Sequence, residues 1–423
     1  MSNNNSSSKT DSFDKEYCES LNRLYNENTD LMEIRWFLNK AYDWAYETEG
    51  FSPDVVMLGT AVPEEIVIAS GTRPYWIIGG SFGSTAWSDN LVPRDTDSVS
   101  RSVFGYINRP EGADLSDSLF IIPLVNDSMR KIAYDLKSEG YKVSLIDIPP
   151  DRNDKHTIEK YDVQLKALCS DVSVKTKTRI TRSSIVSAME IVSCARITML
   201  KFLRMSKGRT DIITDAARQF VLNSYYMSPS PDEWTYHTEC LNREIEFKLS
   251  QTKKSRSDHP SVMLLGSPVL FPNYKVPFLV SDCGLEISDA VDYLSMKSFV
   301  TYPRKALWGS RDRVIRNIAS AWLRYDSSPA YVKNDALFDY VSWLVQHEKI
   351  EGVIYHVLKG QIEYDFELER FEEMLSKYGI PVFRLETDYQ YQDVEQLRIR
   401  LEAFSEMLSR RRIAEELGGR RAV

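Results

Sequence analysis

The chain has 423 residues, a formal net charge of -8, a hydrophobic share of 43% and a charged share of 27%. This length favours two or three packed units, and the acidic balance disfavours nucleic acid as a partner, because neutralising phosphates needs a basic face. No run of about 18 apolar residues offers a membrane span, and the start lacks the basic and apolar parts of a secretion signal. We therefore expect a globular, cytoplasmic protein.

The amino-terminal third begins with a polar stretch, whose composition predicts a disordered leader over residues 1–30. Apolar residues at three- and four-residue spacing between Leu31 and Tyr46 then predict an amphipathic helix. Short apolar runs that end in small residues follow, namely VVMLGT, PYWIIGG, SLFIIPLV and KVSLIDIP. Such runs are typical of buried parallel strands, and helical segments lie between them, so residues 31–165 are predicted to form a first α/β domain.

The remainder is predicted to contain a connector and a second domain. Residues 166–255 show helical patterns without a convincing strand signal. Residues 256–423 alternate again, with strand-like runs SVMLLGSP, VPFLVSD, GVIYHVLKG and PVFRLETD before a final helix from Val394 to about Arg412. The predicted fold class is α/β, with two doubly wound parallel-sheet domains that face a central cleft.

Ligands of open parallel sheets bind beyond the carboxyl ends of the strands, so the strand exits are the first places to look for a site. They are Gly59 and Thr60, Gly79 and Gly80, Val125 to Asp127, Gly266 and Ser267, Ser281 to Cys283, Lys359 to Gln361, and Glu386 to Asp388. Asn126 or Asp127 is expected to cap a helix. The GGSFGS loop lacks the spacing of a dinucleotide or P-loop motif, which favours a simple turn. Glu386 and Asp388 fit either a substrate-positioning pair or a helix cap, and the sequence leaves both open.

Common catalytic and metal motifs are absent from the sequence. No GxSxG, HExxH, CxxC or GxxxxGK[ST] string occurs, and the five cysteines and five histidines are not paired at ligand spacing. His356 falls within a predicted strand, which favours a core residue. The residues alone therefore predict a ligand-binding α/β protein and nothing narrower.

The carboxyl-terminal segment from Gly352 to Leu408 carries the most specific signal: a strand, a helix, a GIPV strand, an ETDY turn and a QLRIRLEAF helix. In this order they resemble the last block of the 2-hydroxyacyl-CoA dehydratase and benzoyl-CoA reductase family. VPEEIVIASGTRP, IIPLVNDSMRK, LLGSP and SDCG agree with earlier family segments. The likeness spans roughly Asp54 to Leu408.

Several properties are implied by this resemblance. Family members are usually paired subunits, each with a four-iron, four-sulfur cluster held by three cysteines at the cleft between two α/β domains. An ATP-dependent activator delivers one electron, and the reduced centre passes it to a CoA thioester to form a ketyl radical anion. The resemblance thus implies a lyase or reductase subunit that binds an acyl-CoA thioester.

The chain departs from the family at the three cluster positions. The first cluster cysteine aligns with Asp97, or with Asp95 if the alignment shifts, the second with Asn126 and the third with Gln361. Oxygen-bearing side chains bind the soft iron of such clusters poorly, so we expect no standard cluster on this chain and consider one on a partner subunit. A hard cation at Asp97 with two amides would be weakly held.

Two hypotheses of function follow. The first is a cluster-free subunit that works with a cluster-bearing relative or as a homodimer. Its expected roles place Thr60, Glu64 and Glu65 at the acyl end, Gly266 and Ser267 at the CoA part, and Glu386 with Asp388 in the second-domain loop. The second is a stand-alone protein that binds acyl-CoA or another anion without redox chemistry. New catalysis without a cluster would need Asp97 as its general base.

Overall fold

The computed structural model describes residues 3–48, 50–89, 91–93, 95–228, 230–252, 259–325, 327–328 and 331–419. Its strands are β1 (Val55–Leu58), β2 (Tyr75–Ile77), β3 (Leu119–Pro123), β4 (Lys142–Ile146), β5 (Ser261–Gly266), β6 (Glu286–Val291), β7 (Gly352–Leu358) and β8 (Val382–Thr387). Its helices are α1 (Asn3–Glu27), α2 (Ile34–Tyr46), α3 (Glu65–Ile68), α4 (Phe82–Thr85), α5 (Ser98–Ile107), α6 (Asp127–Ser138), α7 (Thr157–Thr176), α8 (Arg182–Ser206), α9 (Asp215–Ser224), α10 (Pro231–Gln251), α11 (Lys275–Asp282), α12 (Tyr293–Met296), α13 (Arg311–Tyr325), α14 (Asp335–His347), α15 (Glu363–Lys377) and α16 (Val394–Gly419). Two short 3-10 helices span Lys297–Phe299 and Arg304–Leu307.

The strands form two four-stranded sheets with the same topology. The first has the order β2-β1-β3-β4 and the second β6-β5-β7-β8, and the neighbouring strands run parallel. In each sheet the chain reverses its direction of winding once, between β1 and β3 and between β5 and β7. At each of these two switch points the loops that follow the neighbouring strands run to opposite faces of the sheet, which leaves a crevice where ligands of such folds bind. The predicted α/β class with two doubly wound domains is confirmed.

The central strands are buried along their whole length, because helices cover both faces of each sheet. All residues of β1, β3 and β7 are buried, and this is why their sequences show continuous apolar runs. The order of strands along the chain was therefore readable from the sequence for most of the fold.

The polar start is not a disordered leader, because α1 packs onto the first domain. Phe13, Tyr17 and Leu24 are fully buried on one face of α1. A Cβ added at Gly83 would lie only 2.4 Å from the Cα of Phe13, so only glycine allows this contact. The intervals of four and seven residues between these few apolar side chains place them on one helix face, and their burial outweighs the polar composition of the stretch.

The segment VPFLVSD forms a helix and not the predicted strand. In α11 the residues Val276, Leu279 and Val280 are buried, and this three- and four-residue spacing belongs to one helix face. The strand of this unit is β6, whose sequence EISDAV contains too many polar residues to have been predicted. The exit that was expected at Ser281 to Cys283 is therefore the end of a helix.

Long helices connect the two sheets, as was predicted for the middle of the chain. α8 and α10 are the longest of them, with α7 and α9 beside them. Residue 165, the predicted end of the first domain, falls inside α7, and the boundary near residue 255 lies outside the described residues. None of the helices within the described ranges is long and apolar enough to cross a membrane.

Candidate functional site

A small cavity of about 50 Å³ lies where the carboxyl ends of the two sheets meet. Its wall combines the exits of β1 and β3, the start of α5 and the loop between β7 and α15. The polar side chains that line it include Thr60, Asp97, Asn126, Gln361 and Glu363. Four of the predicted site residues, Thr60, Asp97, Asn126 and Gln361, thus line one cavity, and three of them are the positions at which the family resemblance places cluster cysteines.

Two of these side chains are fixed as helix caps. One carboxylate oxygen of Asp97, Oδ1, accepts a hydrogen bond of 2.9 Å from the backbone N–H of Ser100 at the start of α5. Asn126 Oδ1 accepts one of 2.9 Å from the N–H of Met129 at the start of α6. The cap predicted at Asn126 is confirmed. Capping occupies one oxygen of each side chain and directs the remainder of the group toward the cavity.

A glycine brings the second domain against this wall. Gly360 follows β7 with a φ of +90°, and a Cβ added there would lie 2.8 Å from Asp97 Cα and 3.0 Å from Asp97 N. Only glycine combines this backbone conformation with so close an approach. Gln361, the next residue, thereby lines the same cavity as Asp97, although the two positions are 264 apart in the sequence.

Glu363 is a second carboxylate in the cavity, and the sequence analysis did not name it. It stands in the first turn of α15, two residues beyond Gln361. Burial raises the pKa of Glu363, the charge of Asp97 raises it further, and a side-chain hydrogen bond from Asn126 acts in the opposite direction. Glu363 could have been predicted from the sequence, because a carboxylate in the first helical turn after a strand exit lies where ligands of such folds bind.

Three oxygen atoms in this wall lack partners. Within the described part of the chain, Asp97 Oδ2, Gln361 Oε1 and Glu363 Oε1 are buried without a hydrogen bond. Asp97 is 2% exposed and Gln361 6%. Buried polar atoms normally find partners, because an unmade hydrogen bond there costs about 1–3 kcal/mol. A group of such atoms around one cavity marks a site for a ligand.

The donor set does not fit an iron–sulfur cluster. Such clusters are held by thiolates, with imidazole as an occasional replacement, whereas this cavity presents carboxylate and amide oxygens. The chain's free cysteines are Cys18, Cys169, Cys194, Cys240 and Cys283, and none of them is among the described residues that line the cavity.

Glu64 and Glu65 lie elsewhere, in a buried ion-pair cluster against the helical connector. Arg196 of α8 places its Nη2 2.9 Å from Glu65 Oε1 and 3.3 Å from Glu64 Oε1. Lys297 Nζ lies 3.4 Å from the same Glu64 oxygen, and the hydroxyl of Tyr302 donates to Glu65 Oε1 at 2.6 Å. Neither glutamate lines the cavity, so their predicted place at an acyl group has no support in the geometry.

Gly266 and Ser267 are also engaged internally. The Ser267 hydroxyl oxygen accepts a hydrogen bond of 3.0 Å from the N–H of Leu358, which ties the exits of β5 and β7 together. His356 of β7 is buried. Its Nδ1 lies 3.0 Å from Ser267 O and its Nε2 lies 2.8 Å from Thr387 Oγ1. Its burial agrees with the prediction of a core histidine. The contact of Gly266 and Ser267 with CoA stays a prediction.

Glu386 and Asp388 are not among the described residues that line the cavity. Glu386 Oε2 accepts a hydrogen bond of 2.8 Å from Arg384 at the surface. Asp388 Oδ1 accepts one of 2.7 Å from the N–H of Gln390, a turn contact within its own loop. The structure therefore does not bring these two carboxylates together with Asp97.

The GGSFGS loop already holds an internal anion. The carboxylate of Glu16, from α1, accepts hydrogen bonds from Ser81 Oγ at 2.7 Å and from the N–H groups of Phe82 and Gly83, both at 3.0 Å. Glu16 is 7% exposed, and burial raises its pKa against the effect of these hydrogen bonds. A phosphate would have to displace this carboxylate, which agrees with the turn favoured for the loop.

Known proteins resemble this chain over most of its length. The model of the family described as 2-hydroxyglutaryl-CoA dehydratase, D-component, matches residues 60–408. The chain is also similar to the (R)-phenyllactyl-CoA dehydratase beta subunit of Clostridium sporogenes, with 21% identity over 350 residues that cover 82% of this chain and 89% of that protein. The chain belongs to the 2-hydroxyglutaryl-CoA dehydratase D-component family.

Proposed function

We propose that this chain is a subunit of a 2-hydroxyacyl-CoA dehydratase-type complex that has no iron–sulfur cluster of its own and works beside a cluster-bearing partner. The observation that carries the proposal is the oxygen-only set of polar side chains at the three positions where the family resemblance places cysteines. Since oxygen donors hold such clusters poorly, the electron chemistry must be supplied by another subunit.

Family membership supports a role beside an acyl-CoA thioester. The family description names 2-hydroxyglutaryl-CoA and the similar beta subunit names (R)-phenyllactyl-CoA. A cavity of about 50 Å³ is far smaller than the roughly 300–1,000 Å³ of usual small-molecule pockets. In this proposal the chain therefore contributes one polar wall, and the partner completes the thioester site.

The cavity gives less support to a stand-alone anion binder. Asp97 and Glu363 both present unpaired carboxylate oxygens, and such oxygens repel a phosphate or carboxylate. Among the described residues that line the cavity there is no lysine, arginine or histidine to attract one.

Anaerobic purification of the tagged chain from the cells that naturally make it tests the partnership. The expected result is co-purification, in equal amounts, of a second family chain that has the cluster cysteines, with all iron assigned to that chain. Recovery of this chain alone, at the same protein concentration and ionic strength, would contradict the proposal.

Thermal unfolding tests the thioester assignment on the same preparation. We expect 2-hydroxyglutaryl-CoA or (R)-phenyllactyl-CoA to raise the Tm of the complex, whereas free CoA at equal concentration raises it less, because binding to the folded state alone stabilises it. Equal shifts with free CoA, or none with either, would remove the acyl group from the proposal.

A further inference from the structure

The cavity has an unbalanced negative charge. Asp97 and Glu363 place two carboxylates in its wall, and the lining residues that the structure describes include no cationic side chain. By contrast, the buried glutamates beside α8 have Arg196 and Lys297 within 3.4 Å. Buried carboxylates without a counter-charge are costly, so something else must balance the charge of this pair.

The unpaired atoms have the chemistry of a hard-cation site. Asp97 Oδ2, Glu363 Oε1 and Gln361 Oε1 all line one cavity and accept no hydrogen bond within the described ranges. Carboxylate and amide oxygens are the ligands that Mg²⁺ and related cations prefer, whereas soft iron and zinc prefer sulfur and nitrogen. The amide matters, because the described residues contain no group of three or more His, Cys, Asp and Glu side chains suited to a metal.

The size of the cavity agrees with a small ion that keeps part of its water shell. A water molecule needs roughly 10–15 Å³ of such free volume. A cavity of about 50 Å³ therefore accommodates one cation and a few water molecules. Mg²⁺ is usually bound in this way, through one or two carboxylates with several retained waters.

Two neighbouring residues hold the ligands in place. Asn126 is fixed by its cap on α6 and lines the same cavity as Glu363. Gly360 allows the backbone before Gln361 to approach Asp97 to within van der Waals contact. The ligands from the two domains are thus positioned by short, local constraints.

From these contacts we infer that Asp97, Glu363 and Gln361 bind one small hard divalent cation, Mg²⁺ or Mn²⁺, at the position where the family resemblance places an iron–sulfur cluster. The inference rests on the cluster-free part of the proposed function. The site considered from the sequence had one carboxylate, Asp97, and two amides. Here Glu363 takes the place of the Asn126 amide, so the site has two carboxylates and one amide. The cation would join the two domains across the cavity.

Titration of chelator-stripped full-length protein with MnCl₂, followed by the electron paramagnetic resonance signal of free Mn²⁺, tests the inference. We expect about one Mn²⁺ per chain, displaced by excess Mg²⁺, with binding complete below about 1 mM. Asp97→Asn and Glu363→Gln are each expected to weaken binding by at least about tenfold. Asparagine at 97 retains the helix cap, so a folded variant is expected.

Glu372→Gln is the matched control, because Glu372 lies on the exposed side of α15 and does not line the cavity. It should leave Mn²⁺ affinity within about twofold of the parent. No bound Mn²⁺, or equal binding by the parent and Glu363→Gln, would overturn the inference.

Iron analysis of the same protein separates the two proposals. Stoichiometric iron after anaerobic purification would overturn the cluster-free role and the cation site together. A protein that binds neither iron nor Mn²⁺ would overturn the cation site alone.

Discussion

Two pairs of buried carboxylates in this molecule have opposite surroundings. Glu64 and Glu65 are 1% and 0% exposed, and Arg196 with Lys297 neutralises them. Asp97 and Glu363 line a cavity, and each keeps an oxygen without a hydrogen bond among the described residues. Glu65 Oε2 and Lys297 Nζ of the first group also lack hydrogen bonds, so the two pairs differ in the adjacent cations, which the second pair lacks among the described residues that line its cavity.

The comparison shows that residue type and position after a strand do not identify a site. Glu64, Glu65 and Asp97 were all predicted as site residues, but only Asp97 lies at the cavity. The difference is made by partners from distant parts of the chain, above all Arg196 in α8. A group of unpaired carboxylate and amide oxygens around one cavity without an adjacent cation is the better indicator of a site, because single unpaired atoms also occur at Glu65 and Lys297.

Arg196→Met should have the largest effect, because it leaves two buried carboxylates with Lys297 as their remaining cation. Arg196 is 3% exposed, and removal of one partner from a buried ion pair typically costs about 3–5 kcal/mol. Denaturant unfolding measures the loss. A decrease of less than about 1 kcal/mol in the free energy of unfolding would show that the charges of Glu64, Glu65 and Arg196 contribute little to stability.

A triple variant controls this prediction. Glu64→Gln and Glu65→Gln, added to Arg196→Met, remove the uncompensated charge and should recover at least about half of the lost free energy of unfolding. The absence of any recovery would assign the effect to packing.

His356 predicts a loss of stability in acid. Burial lowers the pKa of His356 from 6.5 to about 4, and the neutral ring is held between Ser267 O and Thr387 Oγ1. Because the unfolded chain takes up the proton first, this contribution is complete above pH 6.5 and is lost as the pH falls toward 4. The difference corresponds to about 3 kcal/mol.

Unfolding free energies of the parent and His356→Gln, measured between pH 7.5 and 4, isolate this contribution. The variant should lose stability less steeply, even if it is less stable throughout. Parallel pH profiles would refute the assignment. This test probes the region beside the cavity without changing its oxygen ligands.

Gly360→Ala tests the close contact that brings Gln361 to Asp97. A Cβ there would lie 2.8 Å from Asp97 Cα at a φ of +90°, so we expect a loss of about 2 kcal/mol together with weaker Mn²⁺ binding. Gly140→Ala is the control, because its φ is +93° and nothing lies within 4 Å of the added Cβ. The control should cost about 1 kcal/mol and leave Mn²⁺ binding unchanged. If Gly360→Ala and Gly140→Ala changed Mn²⁺ binding equally, Gly360 would have no specific role in bringing Gln361 to Asp97.

Glu363→Gln should produce the smallest change, and its sign is informative. In metal-free protein at pH 8 the substitution removes a charge that burial and Asp97 disfavour, so stability should rise by about 1 kcal/mol while metal binding is lost. Glu372→Gln, on the exposed side of α15, should change neither property. A decrease in stability would indicate that Glu363 has an unrecognised structural partner.

Most of the fold was predictable because buried parallel strands have continuous apolar sequences, as in β1, β3, β5 and β7. The exceptions have physical reasons. The polar composition around Phe13 and Tyr17 concealed the buried face of α1, and the apolar run in α11 was short enough to fit a strand as well as a helix. The polar strand β6 gave no hydrophobic signal.

The candidate site was predictable only in part. The family resemblance placed Asp97, Asn126 and Gln361 together, and in the structure all three line one cavity, while their functional role stays a prediction. The partners of Glu64 and Glu65, and the presence of Glu363, depend on how the connector and α15 pack against the first domain. Such long-range packing cannot be read from local spacing.

Metal analysis of anaerobically purified protein tests the central statement most directly, namely that oxygen ligands have taken the place of sulfur in this cavity. The account predicts negligible iron in this chain and a hard divalent cation that Mn²⁺ can replace. About four iron atoms per chain, with the visible absorbance of an iron–sulfur cluster, would contradict it.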